Sequence, residues 1–202
     1  MRRLAAGLAF VLALPAVAAA AGLPPALRQG LERLAVVGGF TCTFEQQLLF
    51  ADGTRQTYSG TLAVRRPMRF RWHYTAPYEQ LYVSDGMRIW HYEPDLMQVR
   101  VLRHLDEIDP VVMRLLDGSV GLDDMEVIKA DRDRRRYHVR VGAANRIWLE
   151  LGAHGQLSVI ESVDMLGNRN RIRLLDIHAT RPPESTFVFT IPPGVDVVED
   201  HG

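Results

Sequence analysis

The sequence predicts a mainly β protein: an incomplete, half-open antiparallel barrel of about eleven strands whose apolar concave face is covered by a helical lid over a hydrophobic cavity. Three observations predict it. Short runs of alternating apolar and polar residues recur at spacings near ten residues, with Asp-Gly and Pro punctuation between them. From Leu62 to Tyr74 the alternation places Leu62, Val64, Met68, Phe70, Trp72 and Tyr74 on one face, and Arg65, Arg69, Arg71 and His73 on the other. Only two segments carry helical spacing, too few to cover a flat sheet but enough to plug a curled one. Arg66 stands apart as the one cation in register with the large apolar side chains, just before Pro67, a residue that cannot donate to a strand ladder.

Taken in order, residues 1–21 read as a cleaved signal peptide. Arg2 and Arg3 form the basic region, Leu4 to Val17 the apolar core, and Ala19-x-Ala21 the small-residue cleavage site. Export to the periplasm is the expectation, and no cysteine follows the cleavage site to take a lipid anchor. Residues 22–202 then form one domain, about 180 residues, enough for a sizeable core. Loss of Arg2 and Arg3 lowers the 24 basic residues to 22 against 24 acidic ones. That near-neutral balance argues against a nucleic-acid partner, which needs a basic surplus or stripe. Cys42, the single cysteine, excludes an intrachain disulfide, and in Phe40-Thr-Cys-Thr-Phe44 it reads as a small buried hydrophobe.

Pro24 to Val37 opens with prolines, spaces Leu27, Leu31 and Leu34 helically, and stops at Gly38-Gly39, which predicts an amphipathic helix. Strands are expected at 40–50, 57–64, 69–74, 80–84, 87–92 and 97–103. A short helix interrupts them, with Asp109 as N-cap, Pro110 at its first position, Gly118 at its end and a greasy face of Val111, Val112, Leu115 and Leu116. Strands resume at 126–130, 136–141, 146–151, 157–164, 169–177 and 186–191. No repeat, low-complexity stretch or linker divides the chain.

Catalytic signatures are absent. Gly118-Ser-Val-Gly121 lacks the residue a nucleophile elbow needs, and there is no HExxH, CxxC or phosphate-cradling loop. His104-Leu-Asp106-Glu107-Ile-Asp109 reads as a polar loop into a helix cap and Asp123-Asp124 as a polar turn. Neither a cofactor nor a metal is expected. The apolar positions are more telling: Leu62, Val64, Phe70, Trp72, Met87, Ile89, Trp90, Met97 and Val99 are the candidate cavity lining. Such a stripe is either plain core or the wall of a site for an apolar guest, and methionine suits variable guests. Both parities of Met87–Tyr92 are apolar or aromatic apart from Arg88, so that strand should be buried, or nearly so, on both sides. Arg65, Arg69 and Arg71 read as a solvated face that could also meet anionic headgroups or an acidic partner.

In combination these residues resemble a known family. Phe44-Glu-Gln46, Gly60-x-Leu62, Arg66-Pro67, Phe70-x-Trp72, Pro77, Val83-Ser-Asp-Gly86, Trp90-x-Tyr92-x-Pro94, Gln98-Val99, the Pro110 helix and Phe187-x-Phe189-x-x-Pro192-Pro-Gly194 follow the order seen in the periplasmic outer-membrane lipoprotein carriers, the LolA family. Residues 121–144 match least. The resemblance implies a non-enzymatic, monomeric chaperone whose cavity takes lipoprotein acyl chains from an inner-membrane ABC exporter to an outer-membrane receptor. It also implies that Arg66 latches the lid through hydrogen bonds, that Phe70 takes part in cargo handover, and that the two helices are the lid. A lipid-binding sensor or scaffold of the same fold is the alternative.

Overall fold

The computed structural model describes residues 22–34, 36–102, 109–142 and 145–199. The leader, the His104–Glu107 loop and His201 lie outside the described residues. The helix α1 spans Pro25–Glu32, and β1 (Gly39–Leu49), β2 (Arg55–Arg65), β3 (Arg69–Ala76), β4 (Gln80–Asp85), β5 (Ile89–Glu93) and β6 (Gln98–Leu102) follow. The helix α2 (Pro110–Leu116) precedes β7 (Met125–Asp131), β8 (Arg136–Val141), β9 (Asn145–Leu151), β10 (Leu157–Val163), β11 (Arg169–Ala179) and β12 (Asp196–Glu199). All twelve strands belong to one unclosed sheet, in the order β12-β6-β5-β4-β3-β2-β1-β11-β10-β9-β8-β7. Two meanders meet at the β1–β11 pair, and among the described residues only β12 runs parallel to its neighbour.

Register turns the alternation in the sequence into two faces. Cys42 lies opposite Leu62, and Leu62 opposite Trp72; Phe44 lies opposite Leu174, and Ile160 opposite both Ile172 and Leu149. These residues project to the concave side, where they join Leu27, Leu31 and Leu34 and the buried side chains of α2 in one apolar cluster. Irregular register at Thr41/Thr43, Ser59/Gly60, Val127/Lys129 and Leu157/Val159 bends the strands around the helices. Cys42 sits in this layer as expected, and burial pushes its thiol up to about 12, so it behaves as an inert small hydrophobe.

The convex face of β4–β6 carries a second, smaller core. Val83 and Val99 are fully buried there and Leu81 and Phe187 nearly so. Trp90 and Tyr92 flank the Phe189 ring at 6.0 and 5.9 Å. This explains why Trp90 and Tyr92, on the face of β5 opposite Ile89 and His91, are large aromatics. It also corrects the strand expected at 186–191. Residues 184–187 form a 3-10 turn, and Phe187 and Phe189 are spent on covering a sheet face, whereas the edge pairing falls to β12. Arg65 fastens this strap by donating to the Pro182 carbonyl at 3.2 Å and pairing with Glu184 at 2.9 Å.

Gly60 marks the tightest point of the frame. A Cβ there would run into the His73 carbonyl and sit 3.0 Å from the Phe44 ring. Gly60→Ala should therefore force the β2–β3 pair apart and lower stability by about 2 kcal/mol or more, measured as a urea midpoint shift.

Candidate functional site

The site is the interface between the concave sheet and its two helices. On the sheet side, Val64 and Trp72 are fully excluded from solvent, and Leu62 and Phe70 are 1% exposed. Ile89, opposite Ser84, packs against the same cluster. The other proposed wall residues are elsewhere. Met87 is 94% exposed because Asp85 Oδ1 accepts the amides of Met87 and Arg88 and turns the chain before β5 begins. Met97, at a left-handed φ of 51°, follows a 3-10 turn and is half exposed. Trp90 and Val99 belong to the convex core. An apolar residue beside a turn, or on a doubly buried strand, carries no periodicity that tells the two faces apart.

The helix side is made of short segments that packing, more than propensity, holds in place. Pro25 opens α1, whose leucines face the sheet while Gly30 allows its backbone close to Leu151 and the Gly155 carbonyl. Arg28 pairs with Asp123 at 2.9 Å, tying α1 to the chain after α2. In α2, Pro110 occupies the first position, and Val112, Met113, Leu115 and Leu116 are buried, with Val111 partly so. Met113, missed in the sequence reading, is fully buried; Leu116 three positions on shares its face.

Both ends of α2 are pinned to the sheet by polar contacts. At the C-terminal end Arg66 Nε donates to the Leu116 carbonyl at 3.2 Å. Burial lowers the Arg66 pKa, and the nearby Asp117 carboxylate partly offsets that; the guanidinium stays charged. Gly118, at φ 78°, leaves room for the Arg66 side chain, which a Cβ would meet at 2.9 Å. At the N-terminal end Asp109 Oδ1 accepts the amides of Val111 and Val112. Its Oδ2 accepts from the Ser162 hydroxyl and, at 3.4 Å, from Asn170 Nδ2. Asn170 Oδ1 in turn accepts from Gln46 Nε2 at 2.9 Å. A carboxylate can only accept, so it fixes the direction of this chain and leaves Gln46 Oε1 without a partner. The cap was legible in the sequence; its sheet-side partners, more than fifty residues away, were not.

One end of the concave face holds a buried titratable group. His91 is 3% exposed, stacks on Tyr82 at 3.9 Å and accepts from Arg100 at 2.7 Å. Burial first, and the Arg100 charge second, push its pKa down to about 4.

An unclosed antiparallel sheet whose concave face is filled by two short apolar helices defines the class by fold: half-open β-barrels. The comparisons specify it. The profile of the outer membrane lipoprotein carrier protein LolA family matches residues 35–190, and the chain belongs to that family. An outer-membrane lipoprotein carrier protein from Bordetella pertussis is 36% identical over 207 residues, covering 98% of this chain and 99% of that protein. One from Pseudomonas aeruginosa is 30% identical over 168 residues, covering 79% and 81% respectively. In fold, the chain is similar to the crystal structure of a LolA superfamily protein from Nitrosomonas europaea, with a TM-score of 0.51 at 12% identity, covering 81% of this chain and 96% of that one. Among the described residues no helix is long and apolar enough to cross a membrane.

Two outcomes follow from this geometry. Because the unfolded chain binds the His91 proton near its ordinary 6.5 and the folded chain only near 4, stability falls as pH drops through that window, by up to about 3 kcal/mol. Urea unfolding across this range should show the loss, and His91→Phe should flatten it. Ser162→Ala removes a hydroxyl from the Asp109 cluster without altering α2. Hydrogen exchange at the Met113 and Asp117 amides should then quicken by about fivefold, the equivalent of about 1 kcal/mol.

Proposed function

We propose that this protein is a periplasmic chaperone for lipoproteins. It accepts their acyl chains from an inner-membrane ABC exporter, shields them beneath the α1–α2 lid and yields them to an outer-membrane receptor. Family membership supports the cargo class, and the residue pattern at the N-terminus supports export. The observation that carries the mechanism is the shared apolar layer between sheet and lid. Seven lid side chains, Leu27, Leu31, Leu34, Val112, Met113, Leu115 and Leu116, are buried in it. At about 1.5–3 kcal/mol each they contribute roughly 10–20 kcal/mol of transfer free energy. A palmitoyl-sized chain, at about 0.8 kcal/mol per methylene, offers roughly 12 kcal/mol. Cargo can therefore replace the lid's filling at nearly equal free energy, which makes loading and release both accessible.

In this reading Arg66 is the latch. Its bond to Leu116, of order 1–3 kcal/mol for a charged donor, biases the lid toward closure without locking it. Leu62, Val64, Phe70, Trp72 and Ile89 receive the acyl chains once α2 swings away, and Phe70, opposite Val64 and Ser84, is placed at the Arg66 end where handover would begin. The carrier works as a monomer and carries no catalytic group.

The test is release of a radiolabelled lipoprotein from spheroplasts by the purified mature protein, followed by transfer to outer membranes. Wild type should yield a soluble one-to-one complex that delivers its cargo. Arg66→Leu should load but deliver several-fold more slowly, since the closed empty state that drives release is weakened. Delivery by Arg66→Leu at the wild-type rate would sink the latch. Binding of free fatty acid without any lipoprotein release would point to a lipid-sensing role.

A further inference from the structure

Trp72, at the centre of the concave face, is fully excluded from solvent, yet among the described residues its indole Nε1–H has no hydrogen-bond partner. Its surroundings explain why. Across the β2–β3 register it faces Leu62; Phe44 stands edge-to-face at 5.3 Å and Tyr74 is stacked at 5.8 Å. An aromatic face is at best a weak acceptor, far poorer than a carbonyl. Buried donors are normally paired, and an orphan is retained where something else pairs with it. Tryptophan here is also not needed for bulk alone, because phenylalanine already serves at Phe40, Phe44 and Phe70 in the same layer.

We propose that Trp72 Nε1–H is the donor that receives an acyl carbonyl of the bound lipid, so that the cavity recognises acyl esters and amides specifically and not hydrocarbon in general. The inference rests on the lipoprotein-carrier reading. A donor requires a ligand that brings an acceptor. A plain alkyl chain has none, whereas each fatty-acyl group on a lipidated cysteine carries one carbonyl where the chain joins the head. With the lid shut the donor is desolvated and idle, which favours opening. With an acylated guest in place it gains a full hydrogen bond in an apolar surrounding. The preference over a carbonyl-free guest of equal length should be about five- to tenfold.

The experiment compares two synthetic probes that differ only at the linkage: a cysteinyl peptide S-linked to a glyceryl group bearing two palmitoyl esters, and its dialkyl ether counterpart. Affinities are measured for wild type and for Trp72→Phe, which keeps the aromatic packing and loses the donor. Wild type should bind the ester about five- to tenfold more tightly, and the variant should bind both alike, near the wild-type ether value. Independently of any variant, the chain has three tryptophans, so its indole N–H resonances are few. The Trp72 indole proton should move downfield with the ester probe and not with the ether. Equal binding of both probes by wild type, or an unchanged ratio in Trp72→Phe, would overturn the donor role while leaving the carrier reading intact. Binding of neither probe would overturn the carrier reading and the donor role together.

Discussion

The structure depends on one constraint: the concave face of a curled sheet cannot be left exposed, and among the described residues two short helices, with Leu23, Leu34, Val120 and Leu122 beside them, cover it. Neither helix is long enough to persist alone, and the sheet's inner side chains pack against them. Each makes the other possible, through a single apolar cluster that runs from Leu23 and Leu27 across Phe44 and Trp72 to Ile147 and Leu174. The helices are attached mainly by non-directional burial, and in the proposed function an equally apolar acyl chain stands in for them.

The polar contacts are sparse by comparison and sit at the two ends of α2. Arg66 reaches the last turn from the β2–β3 corner, and Asp109 reaches β10 and β11 from the first. Such bonds add little to the total burial, but they are directional, so they decide where the lid rests. The partly buried Arg66 and the partly buried Asp109 cluster hold opposite ends of α2, so a shift of the helix along the sheet would break one of the two sets of bonds.

The outer face of the sheet is held by a denser set of polar and aromatic contacts. On the convex side of β8–β11, Arg171 makes paired bonds to Glu150 at 2.9 and 3.1 Å and one to Glu161 at 2.8 Å. Arg136 bonds Glu161 and lies 4.5 Å over the Trp148 ring. The hydrogen bonds to Glu150 are the main cause of the raised Arg171 pKa, and Glu161 is 5% exposed, so this is a partly desolvated network and not a set of surface pairs. On the other half, Phe187 and Phe189 strap β4–β6. The ion-pair network and the aromatic strap thus lie on the face of the sheet opposite the helices.

Local pattern was enough to determine a good deal. Alternation identified β1–β11 but put the last strand at 186–191 instead of 196–199; proline placed the start of both helices, whereas α1 stops at Glu32, short of the expected Val37; and Leu62, Val64, Phe70 and Trp72 were read onto the inner face because period-two register survives any curvature. The combination of Arg66-Pro67 with the aromatics after it pointed to the family. Tertiary structure alone decided the rest. Met87 and Met97 looked like wall residues, but an aspartate-capped turn and a left-handed residue put them outside. Trp90 and Val99 were indistinguishable from cavity residues, since a strand buried on both sides loses its alternation; only the strap ending in Phe189 tells which side is which. The partners of Asp109 and the unpaired Trp72 Nε1 were equally invisible, because hydrogen bonding across fifty or more residues depends on how the sheet curls, and no local window records that.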